Sequence, residues 1–228
     1  MTRVLISGAS RGIGRATALA CAARGVELGL LGRPSAERSE TADLCLKAGA
    51  LRVLELNADA NSSEQLQRAA SEFLAAHGPP DALIHNAGIA GRTSVEATTL
   101  ASWTEHLQVN LTAPFVLTRA LLPAMRARNS GRIVFVGSIS STLGTANLSA
   151  YCASKWGIVG FMKSLAAELA DSGLMTCAVL PGSTDTRMLA DSGFPARMTA
   201  DIVASTLLHY ALDAPLAHNG ASIEMFGV

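Results

Sequence analysis

The sequence predicts a doubly wound α/β fold: one parallel sheet with helices on both faces. Three observations carry this. Short apolar runs alternate with longer stretches of helical character. The runs are apolar throughout rather than at every second residue. Glycines, hydroxyls and polar side chains gather directly after them.

The first run, Val4–Ser7, leads through a glycine-rich turn into a helical stretch, Gly12–Ala23. Further strands are expected at Val26–Leu31, Arg52–Leu56, Ala82–His85, Arg132–Gly137 and Met175–Leu180, with a closing strand at about Ser222–Phe226. Between them, segments such as Ser63–His77 place apolar residues at helical spacing. A strand apolar on both sides needs cover on both faces, and regular β-α alternation makes its neighbours parallel. No repeat, low-complexity tract or Pro/Gly-rich linker interrupts the pattern, so residues 1–228 read as one domain.

Hydrophobic residues form 49% of the chain and charged residues 16%, a balance that suits a packed core and excludes disorder. The 18 basic and 18 acidic residues cancel, and no basic run marks a nucleic-acid or anionic-membrane surface. Cys21, Cys45, Cys152 and Cys177 are scattered with no CxxC pair, which fits reduced thiols. Redox sensing by Cys152 or Cys177 is the alternative to simple packing. The five histidines form no HExxH or HxH pattern, so no metal site is expected. The opening residues MTRVLISGAS lack a signal-peptide core and no apolar run approaches membrane-spanning length, so a cytoplasmic protein is expected.

In open α/β sheets, ligands bind beyond the carboxyl ends of the strands. There this chain places Gly8, Gly32-Arg33, Asn57-Ala58-Asp59, Asn86-Ala87-Gly88, Ser138 and Pro181-Gly182. The first turn, Gly8-Ala9-Ser10-Arg11-Gly12-Ile13-Gly14, is spaced GxxxGxG. Its glycines allow close approach of a pyrophosphate, and the following helix offers unpaired N–H groups. A tight structural turn would use the same residues. NAD sites commonly carry an acid at the tip of the second strand, to bond the ribose 2′-hydroxyl. Here the tip reads Gly32-Arg33, and Glu37 lies beyond Pro34. Arg33, helped by Arg11, suits the 2′-phosphate of NADP through charge-assisted bonds. Two solvated arginines, with NAD as cofactor, are the alternative.

Tyr151 and Lys155 stand four apart at the start of a long apolar stretch, on one helix face. A fixed ammonium, together with the positive charge of an oxidised nicotinamide, favours the phenolate of a neighbouring tyrosine and brings it towards proton transfer near neutrality, although the spacing alone also occurs by chance. Ser138, at a strand end thirteen residues earlier, can bond a substrate oxygen; an ordinary turn serine would look the same. Asn110 precedes Pro114, which has no N–H for the carbonyl of residue 110, so that carbonyl could accept a water; a polar residue at a kinked helix is the alternative.

Taken in order, the glycine loop, Asn86-Ala87-Gly88, Ser138, Tyr151/Lys155 and Pro181-Gly182 resemble the short-chain dehydrogenase/reductase family, over residues 3–186. The 3-oxoacyl-(acyl-carrier-protein) reductases are the most similar branch. The resemblance implies a Rossmann-type fold and metal-free hydride transfer between a nicotinamide and a carbonyl/alcohol pair. It makes Tyr151 the acid/base, has Ser138 orient the carbonyl, and gives Lys155 the ribose hydroxyls. Asn110 becomes a fourth catalytic residue holding a relay water. It assigns Asp59 and neighbouring Ala60 to the adenine side and Thr186, with Thr184, to the carboxamide side. The implied activity is NADPH-dependent reduction of a keto or 3-oxoacyl compound. An NAD-linked alcohol dehydrogenase and a non-catalytic nicotinamide sensor are the alternatives.

Departures from the family pattern concern the substrate. His85 replaces an asparagine, Thr184 a valine, and the ending Asn219–Gly227 is atypical. The segment about 187–199 is short, which predicts an open site walled by Ser140, Leu148, Ser183, Met188 and Leu189, besides Ser138 itself. Few charges interrupt Leu111–Met125 and Tyr151–Ala170, which predicts a dimer or tetramer built on these two helices.

Overall fold

The computed structural model describes residues 1–190 and 192–227. Seven strands, β1 (Arg3–Ser7), β2 (Glu27–Gly32), β3 (Arg52–Asn57), β4 (Ala82–His85), β5 (Gly131–Val136), β6 (Leu174–Pro181) and β7 (Ala221–Met225), form one sheet in the order β3-β2-β1-β4-β5-β6-β7. All six strand pairings are parallel. Each strand lies within a residue of its expected bounds, because buried parallel strands carry the strongest apolar signal.

Side chains alternate across the sheet and feed two cores. Val4 and Ile6 of β1 face α1 (Gly12–Ala22), α2 (Ala36–Lys47) and α8 (Ala200–Leu208), where Ala18, Cys45 and Val203 belong to the same apolar cluster. Leu5 faces the other way, towards α3 (Ser63–His77), α5 (Ala113–Arg128) and α6 (Ser149–Glu168), with Phe73, Leu121 and Met162. Fully burying one such side chain is worth roughly 1.5–3 kcal/mol. Two short helices complete the set, α4 (Leu100–Leu107) and α7 (Arg187–Ala190). Among the described residues no helix is long and apolar enough to cross a membrane.

The chain reverses its direction of winding between β1 and β4, which opens a crevice above their carboxyl ends. Helix starts differ in a telling way. α2, α3, α4 and α8 begin with Ser35, Ser62, Thr99 and Thr199, whose side chains accept from backbone N–H groups of the first turn. α1 begins at Arg11, which makes no such bond, so its first N–H groups stay available beside the crevice.

Candidate active site

The glycine loop is shaped by what it must touch. Gly8 and Gly12 adopt left-handed backbone, φ 71° and 54°. A Cβ on Gly14 would stand 2.2 Å from the Gly8 carbonyl oxygen and 2.4 Å from the Asn86 amide nitrogen. The turns after β1 and β4 are locked together. Asn86 Nδ2 donates to the carbonyls of Ser7 (3.1 Å) and Gly8 (2.9 Å), while Ser7 Oγ accepts from the N–H groups of Asn86 and Ala87, both at 3.1 Å. The uncapped start of α1 and a wall that tolerates no side chain fit a bound pyrophosphate. Gly8, Ser10, Arg11, Gly12, Ile13 and Gly14 would hold a dinucleotide there.

At the second strand the rim is organised by a residue that the sequence did not single out. Arg38 is buried and donates to the carbonyls of Gly32 (2.5 Å) and Leu56 (3.0 Å), to Asn57 Oδ1 (2.5 Å) and to Glu55 (3.0 Å). It ties the ends of β2 and β3 together. A Cβ at Gly32 meets nothing within 4 Å, and Arg33 is exposed. Arg11 does not stand alone. Its guanidinium lies 3.7 Å from Glu37, whose other oxygen accepts from Arg187 at 2.8 Å. Nothing in local sequence pattern announces either pairing, since Glu37 and Arg187 are 150 residues apart. Nearby, Asp59 Oδ1 accepts from the Asn61 N–H (2.9 Å), and the Ala60 carbonyl accepts from Gln108 Nε2 (3.3 Å).

The candidate catalytic residues come together at the ends of β4 and β5. Ser138 follows β5, and its Oγ accepts from the Ser140 N–H at 3.1 Å. Tyr151 sits in the first turn of α6, with Lys155 Nζ 5.7 Å from its ring centre. Lys155 Nζ donates to the Val136 carbonyl (2.8 Å) and stands 3.7 Å from a Cβ built on Gly88. Burial raises the phenol of Tyr151 above its ordinary range, and hydrogen bonding to Ser138 works against that rise. Burial also pulls the Lys155 ammonium down to about 8. Within the protein alone burial dominates the phenol, so its expected depression draws on the positive charge of an oxidised nicotinamide.

Asn110 lies in a π-helical turn, Gln108–Thr112, between α4 and α5. Ala113 N–H reaches back to the Gln108 carbonyl, and Pro114 has no N–H to offer residue 110. The Asn110 amide clamps Ile89 on both sides, accepting from its N–H (2.8 Å) and donating to its carbonyl (2.9 Å), and also donates to Ser154 Oγ (2.9 Å). The side chain thus fixes the loop after Gly88.

The expected walls divide. Leu148 caps the start of α6 and pairs with Thr93, Leu189 is half-buried, and Met188 is exposed. The Ser183 carbonyl accepts from the Arg197 N–H at 2.8 Å. Two of the expected residues turn their side chains inward. Ser140 is buried within the turn that Ser138 caps, and Thr184 is buried with its hydroxyl donating to the Gly182 carbonyl (3.2 Å). Thr186 Cγ2 lies 3.2 Å from a Cβ built on Gly12, so the segment after Pro181-Gly182 leans over the glycine loop. Beyond it, Arg92 donates to the Ser192 carbonyl (2.5 Å) and stacks its guanidinium on Phe194, 5.1 Å from the ring centre. The short segment is therefore fastened on two sides of the mouth. Asp191, inside the expected substrate segment, lies outside the described residues.

Among the described residues no group of three His, Cys, Asp or Glu could hold a metal ion. All four cysteines are free and buried, and burial pushes Cys21 and Cys177 up to about 12 and Cys45 to about 11. Such thiols are poor nucleophiles, which favours packing over redox sensing for Cys177.

Comparison with known proteins agrees with this geometry. Residues 2–194 match the short chain dehydrogenase family. The chain is 35% identical over 186 residues to 3-oxoacyl-[acyl-carrier-protein] reductase FabG of Escherichia coli (strain K12), covering 81% of this chain and 74% of that protein. It is 34% identical to trans-4-hydroxycyclohexanecarboxylate dehydrogenase of Sinomonas cyclohexanicum, covering 98% and 90%. The crystal structure of levodione reductase superposes with a TM-score of 0.93 at 26% identity, over 99% of this chain and 96% of that one. With its winding, glycine cradle and Ser/Tyr/Lys cluster, this chain belongs to the short chain dehydrogenase family of NAD(P)-dependent oxidoreductases acting on a CH–OH/C=O pair.

Proposed function

We propose that this protein is an NADPH-dependent reductase of keto or 3-oxoacyl compounds, working in the cytoplasm as a homo-oligomer. The observation that carries it is the placement of Ser138, Tyr151, Lys155 and Asn110 on one rim with the glycine cradle. The similarity to 3-oxoacyl-[acyl-carrier-protein] reductases supports the substrate class. The absence of an acid at Gly32-Arg33 supports NADPH over NADH.

The nicotinamide supplies the hydride when bound. The chain's own residues handle the oxygen. Ser138 and Tyr151 donate hydrogen bonds to the substrate carbonyl, polarising it, and Tyr151 passes its proton to the oxygen as the carbon is reduced. Lys155 binds the ribose hydroxyls. With its Nζ held at the Val136 carbonyl, its charge makes the deprotonated phenol less costly. Asn110 holds the loop at Ile89, and Pro114, having no N–H to give the carbonyl of residue 110, supports a relay water on that carbonyl. Asp59, Ala60, Asn86, Ala87, Gly88, Pro181, Gly182 and Thr186 line the length that a dinucleotide would occupy.

The test is oxidation of NADPH and NADH against a panel of ketones, diketones, quinones and oxoacyl thioesters. NADPH-linked turnover of at least one class is expected, and it should vanish in Tyr151→Phe while NADPH binding changes by only a few-fold. Full activity in Tyr151→Phe would defeat the mechanism and leave the sensor reading standing. One observation favours the NAD-linked dehydrogenase as second reading: Glu37 lies beside Arg11, on the guanidinium that a 2′-phosphate needs. In that case alcohol oxidation with NAD would exceed carbonyl reduction with NADPH.

A further inference from the structure

The carboxylate of Glu37 occupies an unexpected place. It sits in the first turn of α2, above the end of β2, yet one of its oxygens accepts from Arg187, which follows β6. β2 and β6 are four steps apart in the sheet, roughly 19 Å at ordinary strand spacing. The contact is made because the segment after Pro181-Gly182 leans back over β5, β4 and β1, with Thr186 against Gly12. The Glu37–Arg187 pair therefore crosses the crevice where the winding reverses. The second Glu37 oxygen lies 3.7 Å from Arg11, which with Arg33 was assigned to the 2′-phosphate. Arg15 fixes this arrangement from below, donating to the Glu37 carbonyl (2.8 Å) and pairing with Glu40 (2.8 Å).

We infer that Glu37 is a specificity-determining residue: a resident anion that competes with the cofactor's 2′-phosphate for Arg11, and so limits the preference for NADP(H) over NAD(H). The inference rests on the NADPH reading only in assigning Arg11 to that phosphate. A phosphate paired with Arg11 must stand within several ångströms of Glu37. Two negative charges facing one at about 6 Å weaken binding by about tenfold at the dielectric of water, and by less once salt screens them. Glu37 and both of its arginine partners are well exposed, so a few-fold effect is the right scale. NADH lacks the 2′-phosphate and shares everything else, so the ratio of the two affinities isolates the effect.

The experiment measures dissociation constants of NADPH, NADH and 2′,5′-ADP by calorimetry on the full chain without substrate. The proteins are wild type, Glu37→Gln, Arg11→Ala and the double variant. Glu37→Gln should tighten NADPH and 2′,5′-ADP about fivefold and move NADH less than twofold. The gain should shrink at high salt, and the share of it that comes from competition for Arg11 should be lost when Arg11 is Ala, leaving only the direct repulsion between carboxylate and phosphate. Equal shifts for both cofactors, or weaker NADPH binding, would make Glu37 an ordinary surface ion pair and overturn the inference. Weaker NADH binding would overturn it too, by making Glu37 a ribose ligand. The NADPH reading fails separately, if wild type itself binds NADH more tightly.

Discussion

His85 lies flat against Phe135, ring centres 4.7 Å apart and planes 17° from parallel, while its Nε2 shares a hydrogen bond with Thr118 Oγ1 at 2.9 Å. The two rings face each other across the β4–β5 pairing, where His85 and Phe135 are in register. Burial drops the imidazole to about 3, so the ring is a neutral packing element and not an acid or base. The ring thus combines a stacking contact with a polar bond to Thr118 at the end of β4.

Replacing that ring should therefore be felt in stability before it is felt in catalysis. His85→Asn should lose about 1–3 kcal/mol at pH 7 through the lost stack. The sign with pH follows from the depressed value. The unfolded chain takes up a proton below about pH 6.5 that the folded chain refuses until about 3, so wild type loses stability as pH falls through that window. Urea melts at pH 7 and 4.5 should show the gap between variant and wild type narrowing in acid. A gap that widens would mean that the imidazole is charged in place.

Lys155 carries the same kind of cost in a higher pH window. Its ammonium is held at about 8, well below the ordinary lysine range, because it is buried. The unfolded chain keeps its proton up to about 10.4, so the folded state gains stability as pH rises from about 8 to about 10. Lys155→Met should be inactive yet more stable than wild type at pH 7, by about 2–3 kcal/mol, with the advantage fading by pH 10. Denaturant midpoints at the two pH values decide it. A less stable Lys155→Met at pH 7 would show that the bond to Val136 outweighs the burial of charge.

Two glycines one strand apart should behave in opposite ways. Gly14→Ala forces a Cβ against the Gly8 carbonyl and the Asn86 amide, and should abolish NADPH binding with several kcal/mol of lost stability. Gly32→Ala meets open space and should cost under about 0.5 kcal/mol. The same space admits Gly32→Asp, which together with Arg33→Ala should shift preference towards NADH. Calorimetric binding of both cofactors checks all three.

An outer face of α5 and α6 invites a second copy. Trp156 is 53% exposed and Phe115 43%, the latter edge-on to Phe161 at 5.8 Å, with Gly160 and Ala167 leaving the surface between them low. An apolar stripe on the outer side of two adjacent helices is what an interface between like chains requires. Light scattering should report a dimer or tetramer of the 23.5 kDa chain, and Ala167→Arg should shift it towards monomer. A monomer at micromolar concentration would remove the idea.

The sheet was legible because Val4–Ile6 or Val134–Val136 are apolar at every position, which only two-sided cover explains. The candidate site was legible for a related reason: Gly8, Asn86 and Ser138 all fall just past a strand, where the winding collects them. What escaped was long-range charge. Arg38 looks like a surface residue of a polar helix until Gly32, Leu56 and Asn57 are seen around it. Glu37 reads as too far from the tip of β2, and only the fold of the segment after β6 brings Arg187 to it. The local turn bonds of Thr184 and Ser140 were not legible either, because side-chain direction in a turn has no period to read.

The position of β1 bears on how the protein is made. It hydrogen-bonds β2 on one side and β4, beginning 78 residues after Val4, on the other. During synthesis at about 5–20 residues per second, its second edge stays open for several seconds after β2 has docked. An unpaired apolar edge is a template for pairing with another chain. The nascent protein should therefore be most prone to aggregate before Ala82–His85 emerges. Changes that slow translation between β2 and β4 should lower soluble yield without altering the finished enzyme.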